Sequence, residues 1–219
     1  MSIPTGMKMY NSQLSPFAAR CRAAIYAKDL DVQFIDLADP AHDEAFGRIA
    51  PMRKIPVLVD GETVVPESET ICEYLEDKGQ GRSLRPDSPA ARAKMRLVAR
   101  IADQYVMEPM GKLFGQINPS SRDPQLVARE IVELRKAMAW IEHYIEGPEF
   151  AVGGQFTLAD CELVPVLFFF NEIGPMFGQA RPFQELPRTE SYFKAIGKYP
   201  AAEKVLSELH QALKRMMAG

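Results

Sequence analysis

Cysteine and histidine are scarce in this chain of 219 residues, and their placement excludes several chemistries. Cys21, Cys72 and Cys161 lie about 50 and 90 residues apart, so there is no C-x-x-C redox pair, no zinc knuckle and no even set for a disulfide framework. His42, His143 and His210 are equally scattered, and no metal site is expected. A G-x-S-x-G elbow is absent, which removes the sequence signature of an α/β-hydrolase nucleophile. No excess of one charge exists either: the formal net charge is -3, which offers no electrostatic footing for nucleic acid or an anionic membrane. The start, "MSIPTGMKMYNSQL", lacks a basic stretch followed by an apolar run. The longest apolar span, Leu163 to Phe170, contains Pro165 and falls far short of the roughly 20 residues a bilayer needs. These absences predict a cytoplasmic protein with no metal, nucleic-acid or membrane partner.

What is present reads in two halves. In the first, "KMYNS" (8–12), "VQFIDL" (32–37), "IPVLVD" and "TVVP" are strand-like. Helical stretches fall at "SPFAARCRAAIYAKDL", around "PAHDEAFGRIA", and at "SETICEYLEDK". Asp60-Gly61 marks a hairpin. The order β-α-β-α-β-β-α predicts a mixed sheet with helices packed on it. Between Gly79 and Ser88 glycine, proline and charge concentrate, which marks a linker. Beyond it the pattern is helical: "PAARAKMRLVARIADQYVMEPMGKLF" predicts one long run bent near Pro109. "DPQLVAREIVELRKAMAWIEHYIEG" places Leu126, Ile131, Leu134, Met138 and Ile141 at helical spacing. "TLADCELVPVLF" opens with a T-x-x-D capping box, Thr157 and Asp160, and continues as a helix apolar nearly all round. That helix should form the buried axis of the second half, kinked at Pro165.

Three local signals bear on function, and each has a plain structural reading. Ser15-Pro16 is a helix cap followed by a first-turn proline; its hydroxyl either serves the backbone alone or also faces a ligand. Ile55-Pro56 opens a strand, either as an ordinary trans proline or as a cis bond presenting the Ile55 backbone outward. "PESET" (66–70) places Ser68 at a predicted N-cap with Glu67 beside it. Backbone N–H groups and the helix dipole there suit a carboxylate, and Glu67 suits an ammonium, the two ends of an α-amino acid.

Taken together, "SPFAARCR", "RKIPVLVDGETVVPESETICEYLED" and "TLADCELVPVLF" resemble the cytosolic glutathione transferase superfamily in order and separation, over nearly the whole chain. The resemblance implies a thioredoxin-like first domain, residues 1–80, with a mixed four-stranded sheet. A linker, 81–88, and an all-helical domain, 89–219, follow. It implies that Pro56 is cis, that the Ile55 backbone pairs with the cysteinyl unit of glutathione, and that Glu67 and Ser68 hold its γ-glutamyl end. Lys54 stands where a basic side chain reaches the glycine carboxylate, and Phe17, Arg53 and His42 are further glutathione contacts. "SPFAARCR" is similar to the serine-type tau and zeta patterns, in which Ser15 donates to the glutathione sulfur; Asn11 and Ser12 are alternative contacts. Omega-type enzymes resemble "CPFA" at this place and zeta-type isomerases show S-S-C, and this chain departs from both. Cys21 reads as a packed helix residue.

The resemblance further implies a homodimer and a hydrophobic electrophile held on Tyr105, Met107, Met110 and Phe114 between the domains, residues that also fit a helical core. The implied activity is glutathione transfer, with isomerase, ether-cleaving and dehalogenating variants open. A non-catalytic binding or regulatory protein is the other class. Such a protein need not keep Ser15, Ile55-Pro56, Glu67 and Ser68 together, as this chain does.

Overall fold

In a computed structural model of the chain, which describes residues 6–37, 39 and 42–218, backbone contacts divide it into two compact units. Parts of two stretches read above, residues 1–5 and Pro40-Ala41, lie outside the described residues.

The first unit holds the residues to Leu84 together with those from Pro200. Its elements are β1 (Met7–Asn11), α1 (Pro16–Ala27), β2 (Val32–Asp36), α2 (Asp43–Ile49), β3 (Val57–Asp60), β4 (Thr63–Pro66) and α3 (Ser68–Asp77). The sheet order is β2-β1-β3-β4, with β1 parallel to β2 and antiparallel to β3, and β3 antiparallel to β4. This is the expected mixed four-stranded sheet. Side chains alternate between its faces. Tyr10 and Val57, paired across β1 and β3, pack with Phe46 and Ala50 at α2. Met9 and Leu58, the next pair, point to the opposite face, where α1 and α3 pack together. The hairpin turn is Gly61-Glu62, one residue later than the predicted Asp60-Gly61, because Asp60 still pairs with Thr63. Gly61 has φ 60, which glycine adopts without a Cβ penalty.

The predicted linker is shared between the units. Lys28 at the end of α1 and Glu76 of α3 form a buried ion pair at 2.7 Å. Lys28 Nζ also donates to the Arg82 carbonyl, and Glu76 accepts from Ser83 Oγ and the Leu84 N–H. Residues 82–84 are thereby bound to the sheet unit, while Pro86 accepts from Arg92 in the second. A further helix, numbered below, completes the first unit by packing on α1; chain order had placed it with the helical domain. Its buried Ala201, Ala202, Val205, Leu209 and Ala212 recur at helical spacing, a stripe of small and apolar residues that sits closely against the alanine-rich α1.

The second unit, 85–199, comprises α4 (Pro89–Arg100), α5 (Met107–Phe114), α6 (Pro124–Tyr144), α7 (Leu158–Ile173) and α8 (Pro187–Ile196). The helix completing the first unit is α9 (Pro200–Ala218). The long run 89–114 departs from α-geometry before Pro109 and not at it: Ile101–Val106 form a π-helical stretch between α4 and α5. Pro109 has no N–H for the Tyr105 carbonyl and would press its ring on that carbonyl in a regular helix; widening the preceding turn relieves this. α7 is the buried axis and runs through Pro165 as one helix. Its capping box forms, with Asp160 accepting from the Thr157 N–H at 2.7 Å. Asp160 also accepts from the Ala151 N–H and the Tyr192 hydroxyl, so it ties three segments. Complete burial nonetheless raises its carboxyl from 3.8 to about 6 against the pull of these donors.

α8 lacks a side-chain cap of its own. Glu142 of α6 supplies one, accepting from the Arg188 and Thr189 N–H groups at 3.0 and 2.8 Å and from the Thr189 hydroxyl at 2.7 Å. Burial opposes its ionisation, but the Thr189 hydroxyl and the two amides hold its carboxyl below the usual value. A depressed folded-state pKa gives stability present above the unfolded value, near 4.5, and lost as pH falls through the folded one. Glu142→Gln should therefore destabilise the protein by about 1–2 kcal/mol at neutral pH. In urea titrations that difference should shrink on acidification; a difference independent of pH would contradict the capping role.

Candidate functional site

Ser15 precedes α1 with extended backbone (φ -75, ψ 124), and its Oγ accepts from the Ala18 N–H at 3.2 Å. The cap uses an oxygen lone pair and leaves the hydroxyl hydrogen available to an acceptor. The cap and the ligand-donor readings of Ser15 are therefore compatible.

The Ile55-Pro56 bond is cis. Ile55 lies ahead of Val57, the first residue of β3 in the ladder, so its backbone is outside the sheet register. At the next helix the expected cap is shifted by one residue. α3 begins at Ser68, and the cap position belongs to Glu67, with φ 65, ψ 123 and no side-chain capping bond. Ser68 is instead buried at the first helical position, and its Oγ accepts from Arg20 Nη1 at 3.0 Å. A glutamate at positive φ is costly by about 1–3 kcal/mol, and such strain concentrates at ligand sites. It leaves the Glu67 carboxylate exposed at the positive end of α3.

These residues converge. A cleft of about 430 Å3 is lined by Ser15, Phe17, Met52, Arg53, Lys54, Ile55, Pro56, Glu67 and Ser68. Eight of these nine are glutathione-site residues expected from the sequence; Met52, half exposed, is the addition. Arg53 (φ 49) turns its guanidinium onto Asp43 at 2.6 Å and packs over Gly47, where a Cβ would come within 2.4 Å of Arg53 Nη1. Lys54 makes no ion pair among the described residues and is the cation left for a carboxylate in the cleft. His42 is not among the lining residues: it stands at the start of α2, 3.9 Å from Asp39.

The four residues expected to hold an electrophile divide by burial. Met107 and Met110 are buried. Tyr105 is half exposed with its ring edge-to-face on Trp140, and Phe114 is partly buried on Phe169. Cys21 is buried, as expected, its Sγ near the Ser68 carbonyl at 3.4 Å. Among the described residues no cluster of three or more His, Cys, Asp or Glu side chains is arranged to hold a metal, and no helix is long and apolar enough to cross a membrane.

Sequence reading missed the two arginines behind the cleft. Arg20 and Arg22 are both almost completely buried. The signal was present: α1 is small and apolar on all sides, so its two charges have no exposed face to occupy. Burial lowers the Arg22 pKa, and Glu208 of α9 opposes that shift from 2.9 Å.

Comparison with known proteins is consistent with this geometry. The family model "Glutathione S-transferase, N-terminal domain" matches residues 9–83, and "Glutathione S-transferase, C-terminal domain" matches residues 124–195. Glutathione S-transferase 3 of Zea mays is 27% identical over 215 residues, 93% of this chain and 94% of that one. Protein LigF of Sphingobium is 35% identical over 105 residues, 45% of this chain and 40% of that one. The solved structure of LigF, a beta-etherase, superposes with TM-score 0.76 at 22% identity, covering 93% of this chain and 99% of that one. Glutathione transferase F1 of poplar superposes with TM-score 0.78 at 22% identity, covering 95% and 100%. Two domain models in the right order, a full-length relative and the common fold place the chain in the cytosolic glutathione transferase superfamily.

Proposed function

We propose that this protein binds glutathione in the cleft of its first unit and holds the thiol as a thiolate for attack on a hydrophobic electrophile. The observation that carries the reading is Ser15: its oxygen is committed to the α1 cap and its proton is free, at a helix N-terminus facing the cleft. A free thiol has a pKa near ~8.5, so little nucleophile exists at neutral pH. Lowering it by ~2 units requires ~2.7 kcal/mol of preference for the anion. A hydrogen bond to a charged acceptor, about 1.5–3 kcal/mol, and a helix end, up to about 2 kcal/mol, cover that amount. Ser15 is a donor in this mechanism and not a nucleophile, and no general base is required.

The rest of the tripeptide matches the remaining groups. The γ-glutamyl carboxylate takes the Ser68 hydroxyl and the first N–H groups of α3, and its ammonium takes Glu67. The cysteinyl backbone pairs with Ile55. The glycine carboxylate takes Lys54, since Arg53 is engaged by Asp43. Tyr105 and Phe114 are the candidates for the co-substrate. The likeness to LigF favours ether cleavage as a second reading, in which the same thiolate attacks carbon and the ether oxygen leaves with the bonding pair. We take the protein to be cytoplasmic and homodimeric, as the family resemblance implies.

An ultraviolet difference titration of bound glutathione tests the reading. Wild type should show the thiolate band appearing at least about one unit below the free thiol, and Ser15→Ala should abolish the shift. The variant also loses a cap, costing about 1 kcal/mol, so its folding is checked alongside. Bound glutathione with an unshifted thiol, or no binding, would overturn the mechanism. Glu67→Gly makes a second test. Relief of the positive-φ strain should outweigh glycine's added unfolded-state entropy and stabilise the protein by about 1 kcal/mol. Loss of the ammonium partner should weaken glutathione binding by about 10-fold or more in calorimetry; unchanged affinity would remove Glu67 from the site.

A further inference from the structure

Ser15 is held by more than its own helix. The loop between β1 and α1 hangs on one buried guanidinium. Arg22, fully buried, donates from Nη1 to Asn11 Oδ1 at 2.6 Å and to the Ser12 carbonyl at 3.3 Å, and from Nη2 to the Gln13 carbonyl at 2.9 Å. Three consecutive residues are bound to a single planar fork, whose geometry sets their relative positions. The Ser12 carbonyl also accepts from the Ser15 N–H at 3.1 Å, which links the fork directly to the residue capping α1.

The fork is itself fixed from the far end of the chain. Arg22 Nε lies 2.9 Å from Glu208 Oε2 of α9, and the Tyr26 hydroxyl donates to Glu208 Oε1 at 2.7 Å. Lys204, one turn earlier on α9, places its ammonium 3.8 Å from the Tyr26 ring centroid. One Glu208 oxygen thus accepts from Tyr26 while the other faces the Arg22 guanidinium as an ion pair, and a carboxylate anchored in this way biases where that guanidinium sits. A pair with one fully buried and one partly buried partner is a poor source of net stability, since desolvation of the guanidinium offsets much of the attraction. What it supplies is position.

We propose that Glu208 and Arg22 are positioning residues for the Ser15 hydroxyl: α9 sets, through this pair, how closely the donor meets the glutathione sulfur. The proposal rests on the reading of Ser15 as the sulfur's donor. It assigns α9 a role in the chemistry of the first unit, distinct from its role as a packed helix. Small displacements at such a donor are costly, with misplacement of about 1 Å worth as much as 100-fold in rate.

The test is Glu208→Gln, measured with wild type and Ser15→Ala by thiolate titration of bound glutathione, together with calorimetry of S-methylglutathione, which has no thiol to ionise. The expected result is a bound-thiol pKa raised by about one unit, a tenfold loss of thiolate at limiting pH, with S-methylglutathione affinity unchanged. A helix lost only as packing would lower the melting temperature without moving the thiol, and that result overturns the proposal. A wild-type shift that vanishes in Ser15→Ala but survives in Glu208→Gln refutes the proposal alone; absence of any wild-type shift refutes the underlying reading and the proposal with it. Should Glu208→Gln not fold, Tyr26→Phe releases one carboxylate oxygen and leaves the ion pair intact. It should raise the thiol pKa by a smaller step and speed amide exchange at Ser12–Ser15, and no change in either overturns the proposal.

Discussion

Helix α1 packs against α3 and α9 within the first unit and has almost no face to water, and an enclosed helix cannot leave its end groups or its charges to solvent. Ser15 meets the first demand by accepting from Ala18, and Pro16 removes one N–H that would otherwise need a partner. Arg20 and Arg22 meet the second by reaching outside the helix, Arg20 to Ser68 and Arg22 to the β1–α1 loop and Glu208. The alanines and Cys21 between them keep the helix thin enough for α3 and α9 to approach. The same enclosure that makes the charges expensive thus makes them organisers, because each must find its partners on a neighbouring element.

The cleft follows from where those partners lie. Ser15 and Ser68 stand at the starts of two helices that open toward the same space, and each hydroxyl oxygen already accepts one bond from the protein. Each retains a proton for an acceptor arriving from outside. Two helix N-termini, two serine hydroxyls and the Lys54 ammonium suit a ligand that carries negative charge. Glu67 is the single acid among its lining residues, held at φ 65 where a glutamate is strained. A ligand with carboxylates, a thiol and one ammonium satisfies this arrangement, and few small molecules combine those groups.

Much of this was legible in the sequence where the information is local. The Thr157–Asp160 box, the Ser15-Pro16 start and the alternation of strands and helices in the first half depend on neighbours within a few residues, and all three form as read. The errors share another cause. Ser68 reads as a cap by its chemistry, but the chain turns one residue earlier, at Glu67, because Ser68 is needed in the first turn beneath Arg20. The hairpin turn slips by one residue since ladder pairing of Asp60 with Thr63 outranks the Asp-Gly preference. Met107 and Met110 lie on a helical stripe that suits a pocket or a core equally, and both are buried.

The sequence by itself determined the starts of α1 and α7 and the alternation of strands and helices, because caps, turns and periodicity are short-range effects written in adjacent residues, and the family resemblance those motifs carry implied eight of the nine residues that line the cleft. Only the tertiary structure decided what stands behind them. That Arg20 supports Ser68, that Glu142 caps a helix 45 residues downstream, and that Glu208 reaches back to Arg22 are pairings across long stretches of chain. A buried charge states only that it needs a partner; which one it takes is set by packing, and packing is a property of the folded whole.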